Sequence, residues 1–444
     1  MNNKHYVVIP GNTDLNRGDQ ALVWESIRLV KEAGYDGDYY ILSSGETEKE
    51  IYLQSRQTKE LGYKIIKPIL RHPKRSDNEE KEGHFYSKKQ ILVWGFRGLI
   101  EGLARILLFN RFTQKIGMFF LSSEQKKTFE IIKNADAVIV KGGGFIHSYG
   151  GIVSTYQIFY SLYHVILARK LNKPVLIMPN SFGPFDGPFV KWIVSYALKD
   201  CELITARETI SSKQLSDVVK SEVPVFPDLG FFLQKNEDFD ARKYLLRQGV
   251  PLGQKKCVGF TLRPYRFPSS KDPIQKYKSY VKTIKDFVLW LQKNNYYPVF
   301  IAQTLGPSNH EDDRIAIEEV VKTLGNDEYV IINNIDHNCK DLKSIYAELD
   351  YLIGTRFHSV IFAMSAGVPS IAIAYGGNKG EGITTDMELD DYVIRIENIN
   401  LNELKNKFLL LVNNEFEIKS KIQKYMEFAN RNRIILKEKI KEII

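Results

Sequence analysis

The chain has 444 residues, 43% of them hydrophobic and 26% charged, with a formal net charge of +9. That length exceeds one comfortable core and the composition is that of an ordinary globular protein, so two α/β domains are expected and a disordered or fibrous chain is excluded. Cys201, Cys257 and Cys339 lie far apart with no Cys-x-x-Cys pair. This excludes a cysteine metal centre and a disulfide framework, and favours a reducing compartment. The positive charge suits an anionic surface or anionic substrates, while no RNA- or DNA-binding signature interrupts the α/β pattern.

Met1 to His5 leads straight into a strand, Tyr6-Val7-Val8-Ile9, so no signal peptide is expected. No run of about 18 uncharged apolar residues follows anywhere, which predicts no membrane-spanning helix. Gly11-Asn12 and Arg17-Gly18-Asp19-Gln20-Ala21 fill the turn before a helix predicted over Gln20 to Val30. Asn12, Asp19 and Gln20 offer hydrogen bonds suited to sugar hydroxyls, and Asp19 is either a proton acceptor or the N-cap of that helix.

Residues 62 to 130 break the strand–helix alternation. Lys67 to His84 reads as a polar, mobile loop. Lys88 to Leu121 mixes Trp94, Phe96, Phe109, Phe112, Phe119 and Phe120 with six cations and a single acid, Glu101. Two structures fit this composition: a segment lying in an anionic bilayer interface, or a core-facing helical hairpin with a solvated basic face. After the next predicted strand, Lys141-Gly142-Gly143-Gly144 permits close backbone approach to a ligand or forms a tight turn, with His147 just beyond.

A weak internal echo follows. Lys173 to Met178 leads to Ser181-Phe182-Gly183-Pro184, and Tyr297 to Ala302 leads to Thr304-Leu305-Gly306-Pro307. Each is followed by a strand ending in arginine, Arg207 or Arg356, so the two arginines are expected at equivalent strand ends of duplicated units. Gln234 to Gln254 reads as a linker with a short helix, Asp240 to Arg247. A second domain begins with the strand Cys257 to Leu262, followed by Arg263.

Asp350-Tyr351-Leu352-Ile353 is a short buried strand, and Gly354-Thr355-Arg356-Phe357-His358-Ser359 leads into a helix with Ser359 as its expected N-cap, ending at Gly367. The next strand is Ser370 to Tyr375. Arg356 and His358 therefore sit where open α/β sheets bind ligands. Helix N–H groups favour an anion there, guanidinium adds a bidentate clamp, and imidazole can exchange a proton near neutral pH. On these residues alone, a structural arginine–carboxylate pair and a packed histidine fit as well. Beyond Asn398 the chain is helical, Lys-rich and amphipathic.

The Arg-x-His turn, the Gly-x-Pro that follows and Tyr375 with Lys379 resemble the polysaccharide pyruvyl transferase family. The resemblance extends, in order, through Gly11-Asn12 with Arg17 to Ala21, Lys141 to Gly144, Ser181 to Pro184, Arg207-Glu208 and Pro227-Asp228. Two departures stand out: Gln20 replaces the usual acid, and the acid frequent after the triple glycine is absent. The resemblance implies two Rossmann-like domains facing a cleft, as in GT-B glycosyltransferases. An N-terminal acceptor domain spans 1–234, with the insertion at about 62–130, and a C-terminal phosphoenolpyruvate domain spans 235–444, with a terminal helix packing back across the first.

It also implies transfer of pyruvate from phosphoenolpyruvate onto a sugar as a ketal, with His358 as general acid and Asp19 as base. Arg207, Arg356, Arg263 and Lys379 would bind the donor, and Asn12, Gln20, Gly143, Gly144 and His147 would line the substrate site. The remaining histidines are read as structural. No cofactor and no metal is expected. The acceptor would be a glycan or lipid-linked glycan of a surface polysaccharide, and the location cytoplasmic, peripheral at the inner face of the plasma membrane. The competing readings are a nucleotide-sugar glycosyltransferase and a non-catalytic glycan- or lipid-binding scaffold of the same fold.

Overall fold

The computed structural model describes residues 4–73, 88–151, 153–333, 335–376 and 379–443. The part of the expected mobile loop beyond Pro73, His84 included, lies outside the described residues, as do the side chains of Asn12 and Lys379. In chain order the first unit contains β1 (His5–Asn12), α1 (Arg17–Glu32), β2 (Asp38–Ser43), α2 (Glu48–Glu60) and β3 (Lys64–Ile66). The insertion follows as α3 (Lys88–Ile106), α4 (Gln114–Phe119) and α5 (Ser123–Asn134). Then come β4 (Ala137–Val140), β5 (Gly143–Tyr149), α6 (Ser154–Lys170), β6 (Val175–Asp186), α7 (Val190–Leu198), β7 (Leu203–Ala206) and α8 (Thr209–Val219).

A 3-10 turn at Leu229–Phe232 and the short helix α9 (Ala241–Arg247) carry the chain to the second sheet. That unit contains β8 (Lys256–Thr261), α10 (Pro273–Lys293), β9 (Tyr296–Ile301), α11 (Asp313–Val321), β10 (Val330–Ile332), α12 (Cys339–Ala347) and β11 (Tyr351–Gly354). It continues with α13 (Phe357–Ser365), β12 (Ser370–Ala374), α14 (Lys379–Asp386) and β13 (Val393–Arg395), and the chain closes with α15 (Leu401–Asn413) and α16 (Glu415–Lys441).

Both sheets are parallel. The first runs β3-β2-β1-β4-β6, with β5 extending the β4 edge along the C-terminal part of β6 and β7 on the other edge of β6. The second runs β10-β9-β8-β11-β12-β13. Helices cover both faces, so a central strand such as β4, Ala-Val-Ile-Val, is buried at every position and reads as a continuous apolar run rather than an alternating one.

Matching the sheets strand for strand corrects the internal echo. β4 corresponds to β11, β6 to β12 and β2 to β9, so the two Gly-Pro segments follow non-equivalent strands. The topological counterpart of Arg356, after β11, is Lys141, after β4. Arg207 follows an edge strand, β7, whose counterpart is β13.

A buried polar seam joins the two units. Leu305 N–H donates to Leu15 O (2.8 Å), and Arg17 N–H donates to Gln303 O (3.2 Å). The Gln20 side chain is fully buried: Oε1 accepts the Cys339 N–H (2.8 Å), while Nε2 donates to Asp14 Oδ1 (3.0 Å) and Gln57 Oε1 (2.8 Å). The Arg17 guanidinium donates to Gln57 Oε1 (3.0 Å) and reaches across to Ile335 O (3.3 Å). α16 returns to the first unit, where Tyr35 Oη donates to Ile440 O (3.0 Å) and Arg433 pairs with Glu32 (2.7 Å). This is the back-packing expected of the terminal helix.

Gln20 thus belongs to the seam. Gln20→Ala strands the Cys339 N–H and should lower unfolding free energy by about 1–3 kcal/mol, read as a lower urea midpoint. An unchanged midpoint would remove Gln20 from the structural network.

Candidate active site

The C-terminal ends of strands from both sheets meet around a cavity of about 320 Å³. From the first unit it is lined by Gly11, Asn16, Asp19, Lys141, Gly143, Gly144 and Arg207; from the second come Gln303, Arg356, Phe357, His358 and Tyr375. The first turns of α1 and α13 border it, so two helix N-termini add partial positive charge. Gly143 has φ of 152°, a conformation that a side chain would strain, and a Cβ there would meet the Phe145 ring at 3.4 Å.

Asp228 organises one side. Its carboxylate is fully buried and accepts Arg207 Nη1 (2.5 Å) and the Gly230 N–H (2.7 Å), while His358 Nε2 lies 3.9 Å from Oδ2. Burial alone would raise this carboxyl, but Arg207, His358 and the Gly230 N–H outweigh it and hold Asp228 below the usual aspartate range. Arg207 also donates through Nε to Ser181 Oγ (2.7 Å), which donates on to Glu208 Oε2 (2.9 Å). Burial raises Glu208 in spite of Arg207 and the two serines. Arg207 Nη2 is buried and meets no acceptor in the structure.

Arg356 is held from behind by Asp313, with Nε to Oδ1 at 2.7 Å, and Nη2 donates to Glu311 O (2.7 Å). Asp313 also accepts the N–H groups of Gln303 (3.0 Å) and Thr304 (2.9 Å). Burial pushes its carboxyl up to about 6, with Arg356 and the two backbone donors offsetting part of the rise. Protonating Asp313 near that pH would loosen the hold on Arg356 and leave the cavity more positive.

His358 stands on Gly18 of α1. A Cβ built on Gly18 would lie 2.3 Å from His358 Nδ1 and 2.8 Å from its Cβ, so the glycine is what allows the ring its position. Ser359, expected as the helix cap, is instead the third residue of α13, inside its first turn. α13 begins at Phe357 after Arg356, and the Ser359 hydroxyl donates to Arg356 O (2.6 Å), close to Thr261 Oγ1 (2.7 Å). Asp19 is not the cap of α1 either: Asn16 is, accepting the N–H groups of Gly18 and Asp19. That leaves the Asp19 carboxylate at the cavity, paired with Lys141 Nζ at 2.9 Å.

Of the residues singled out on sequence, Asp19, Gly143, Gly144, Arg207, Arg356 and His358 converge on this cavity. Gln20 does not; its amide is consumed in the seam. Arg263 stacks its guanidinium 4.6 Å above the ring of Tyr375, supporting a lining residue rather than lining the cavity itself. His147 lies outside the lining, with Nδ1 2.9 Å from Gly144 O and its ring against Tyr149. Lys141 and Asp228 were missed as site residues. Their signals were present, since Lys141 directly precedes the triple glycine and Asp228 closes the Pro-Asp pair. Among the described residues, no group of three or more His, Cys, Asp or Glu side chains is arranged to hold a metal ion.

A family model described as polysaccharide pyruvyl transferase matches residues 16–377, from the α1 cap to just past Tyr375. The chain belongs to this family. Amylovoran biosynthesis protein AmsJ of Erwinia amylovora is 24% identical over 444 residues, covering 95% of each chain. Among solved structures, a glycosyltransferase from Rickettsia africae superposes with a TM-score of 0.54 at 14% identity, covering 100% of this chain and 99% of that one. S. aureus MnaA, in a co-structure with UDP, gives a TM-score of 0.54 at 10% identity, covering 95% and 90%. At such identities these two share the fold alone, the two-sheet GT-B-like architecture.

This pyruvyl transferase family member is a transferase of polysaccharide biosynthesis, and its Gly18–His358 contact can be tested directly. Alanine at position 18 favours the helix intrinsically by about 1 kcal/mol, yet its methyl group occupies the space of the imidazole. Gly18→Ala should therefore remain folded, displace the His358 ring and lose turnover by about 10²-fold, the scale of a side chain misplaced by about 1 Å in a site. Wild-type turnover in a folded Gly18→Ala protein would contradict the contact.

Proposed function

We propose that this chain transfers the three-carbon unit of phosphoenolpyruvate onto two hydroxyls of one sugar as a pyruvate ketal, releasing phosphate, during assembly of a surface polysaccharide. One observation carries the reading: Lys141, Arg207 and Arg356, drawn from both sheets, surround one small cavity that also holds His358. Phosphoenolpyruvate concentrates a phosphate and a carboxylate on three carbons, and such a ligand needs several cations at close range. The buried Nη2 of Arg207 supplies a donor for one of its oxygens.

His358, held between Asp228 and Gly18, delivers a proton to the methylene carbon and leaves an oxocarbenium-like centre at the neighbouring carbon. A sugar hydroxyl attacks that centre, the carbon–oxygen bond to phosphate breaks, and a second hydroxyl closes the ketal. Of the two hydroxyl protons released, one replaces the proton now on the methyl group and the other leaves with phosphate. Asp19 takes the proton of an attacking hydroxyl, and Lys141 exchanges its Asp19 partner for the donor anion. No cofactor enters this scheme. A cytoplasmic site of reaction accords with the three free cysteines.

The test is incubation of the pure protein with phosphoenolpyruvate and glycan acceptor fractions, reading phosphate release and pyruvate addition by mass spectrometry. Phosphoenolpyruvate should also raise the melting temperature by ligand linkage. Lys141→Met should weaken donor binding by about 2–5 kcal/mol. His358→Gln should keep that binding and lose about 10²–10⁴-fold in turnover. Stabilisation by UDP-N-acetylglucosamine, with none by phosphoenolpyruvate, would overturn the donor assignment.

A further inference from the structure

The insertion is amphipathic in the reverse sense for a helix of a globular protein. Along α3, Leu92, Phe96, Leu99, Leu103 and Ile106 recur at spacings of four and three and form one continuous stripe, and that stripe faces solvent. Leu92 is 73% exposed and Phe96 68%. The opposite face is inward and carries small and charged residues. Gly98 and Gly102 bring the helix against Tyr156 and Phe159 of α6, while Glu101 and Arg105 are 7% and 5% exposed. Arg105 fixes this orientation, donating to Ile69 O (3.1 Å), Phe120 O (3.1 Å) and Gln125 Oε1 (3.3 Å). Turning the stripe inward would expose none of the polar face without breaking these bonds. An ordinary surface helix buries its apolar stripe; this one displays it.

α4 and its flanks extend the surface with Phe112, Ile116 and Phe119, the last 82% exposed. Patches of this extent mark an interaction site. Charge decides the partner. Arg111, with its guanidinium 4.9 Å above the Phe112 ring, and Lys115 border the apolar surface, and the only acid of residues 88–121, Glu101, is turned inward. Apolar and aromatic side chains flanked by Arg111 and Lys115, with no exposed acid among the described residues of 88–121, match the boundary of an anionic bilayer, where the rings enter the acyl edge and the cations meet headgroups. No helix among the described residues is long and apolar enough to cross a membrane, so contact would be made by this face.

We propose that α3 and α4 dock the protein on an anionic lipid leaflet. The face also connects to the candidate active site. A cavity of about 260 Å³ is lined by Leu70, His72 and Tyr160 on the insertion side, and it shares Pro10, Gly11 and Phe145 with the active-site cavity. An acceptor glycan carried on a membrane lipid would thus be delivered along the protein surface it docks with. This route rests on the proposed transfer to a glycan, whereas docking does not.

The experiment is flotation of the full chain with vesicles of phosphatidylcholine alone and of phosphatidylcholine mixed with phosphatidylglycerol. The protein should float only with the anionic vesicles and less so as salt rises. Phe96→Ser, Leu103→Ser and Phe119→Ser each remove an exposed side chain and should lower partitioning about tenfold. The pair Arg111→Ala and Lys115→Ala should lower it roughly thirtyfold at low salt. None of these variants should alter the melting temperature or turnover on a water-soluble acceptor. Wild-type protein that stays at the bottom with anionic vesicles at low salt overturns the proposal. So does a dimer in sedimentation that dissociates in the Phe96→Ser/Phe119→Ser variant, because a second copy would then cover the face.

Discussion

The carboxylate of Asp228 is the point on which the site depends. It lies in the segment between the sheets and is fully buried. In one place it meets a guanidinium from the first sheet, an imidazole from the second and the Gly230 N–H. A buried charge survives only when its partners satisfy it, and removing one of them costs about 3–5 kcal/mol. Arg207 and His358 therefore face the same carboxylate oxygen, Oδ2, and the two units must keep their relative position for that arrangement to persist. The seam of Gln20, Arg17, Cys339 and Ile335 supplies that constancy from the other side of the cleft. Gly18 joins the two devices, since it lies in the seam's helix and carries the ring of His358.

Much of this was legible in the sequence, because parallel α/β units announce themselves locally. Apolar runs such as Ala137–Val140, followed by the glycine turn, and Tyr351–Gly354, followed by a turn and a helix, place Lys141 and Arg356 at strand ends without any knowledge of the tertiary structure. Partnership was less legible. Arg207 and Arg356 were paired by a repeated strand–Gly-Pro pattern, but equivalence in a sheet is decided by strand order, which the repeat does not encode. Lys141 turned out to be the counterpart of Arg356. Asp19 and Ser359 illustrate a second limit. Both are good capping residue types, yet Asn16 and the backbone before Phe357 start the helices, and this freed Asp19 for the cavity. Gln20 was grouped with the substrate residues because of its place in a motif. What it binds, the Cys339 N–H, lies in another unit and is invisible to local pattern.

The insertion shows the limit most plainly. Periodicity identifies an apolar stripe on α3 but not the direction in which it points. The usual inference, apolar inward, would have put Leu92, Phe96 and Leu103 in a core and the cations outside. The structure turns the apolar stripe outward instead, because Arg105 donates to Ile69 O, Phe120 O and Gln125 Oε1 and the two glycines permit close approach to α6, while Arg111 and Lys115 stay exposed. Phe109, by contrast, does turn inward against Phe159 and Tyr163. A short sequence window therefore supplies both a core anchor and an outward face.

The central claim is that Asp228 couples Arg207 and His358 into one donor site. It is tested most directly by a double-mutant cycle of Asp228→Asn and His358→Gln, measured as kcat/KM for phosphate release from phosphoenolpyruvate. Residues acting as a unit give losses that do not add, with interaction energies of about 0.5–3 kcal/mol for neighbours in one network. The double variant should be little worse than the poorer single variant. If the two losses instead add in full, Asp228 and His358 act independently and the shared carboxylate does not organise the site.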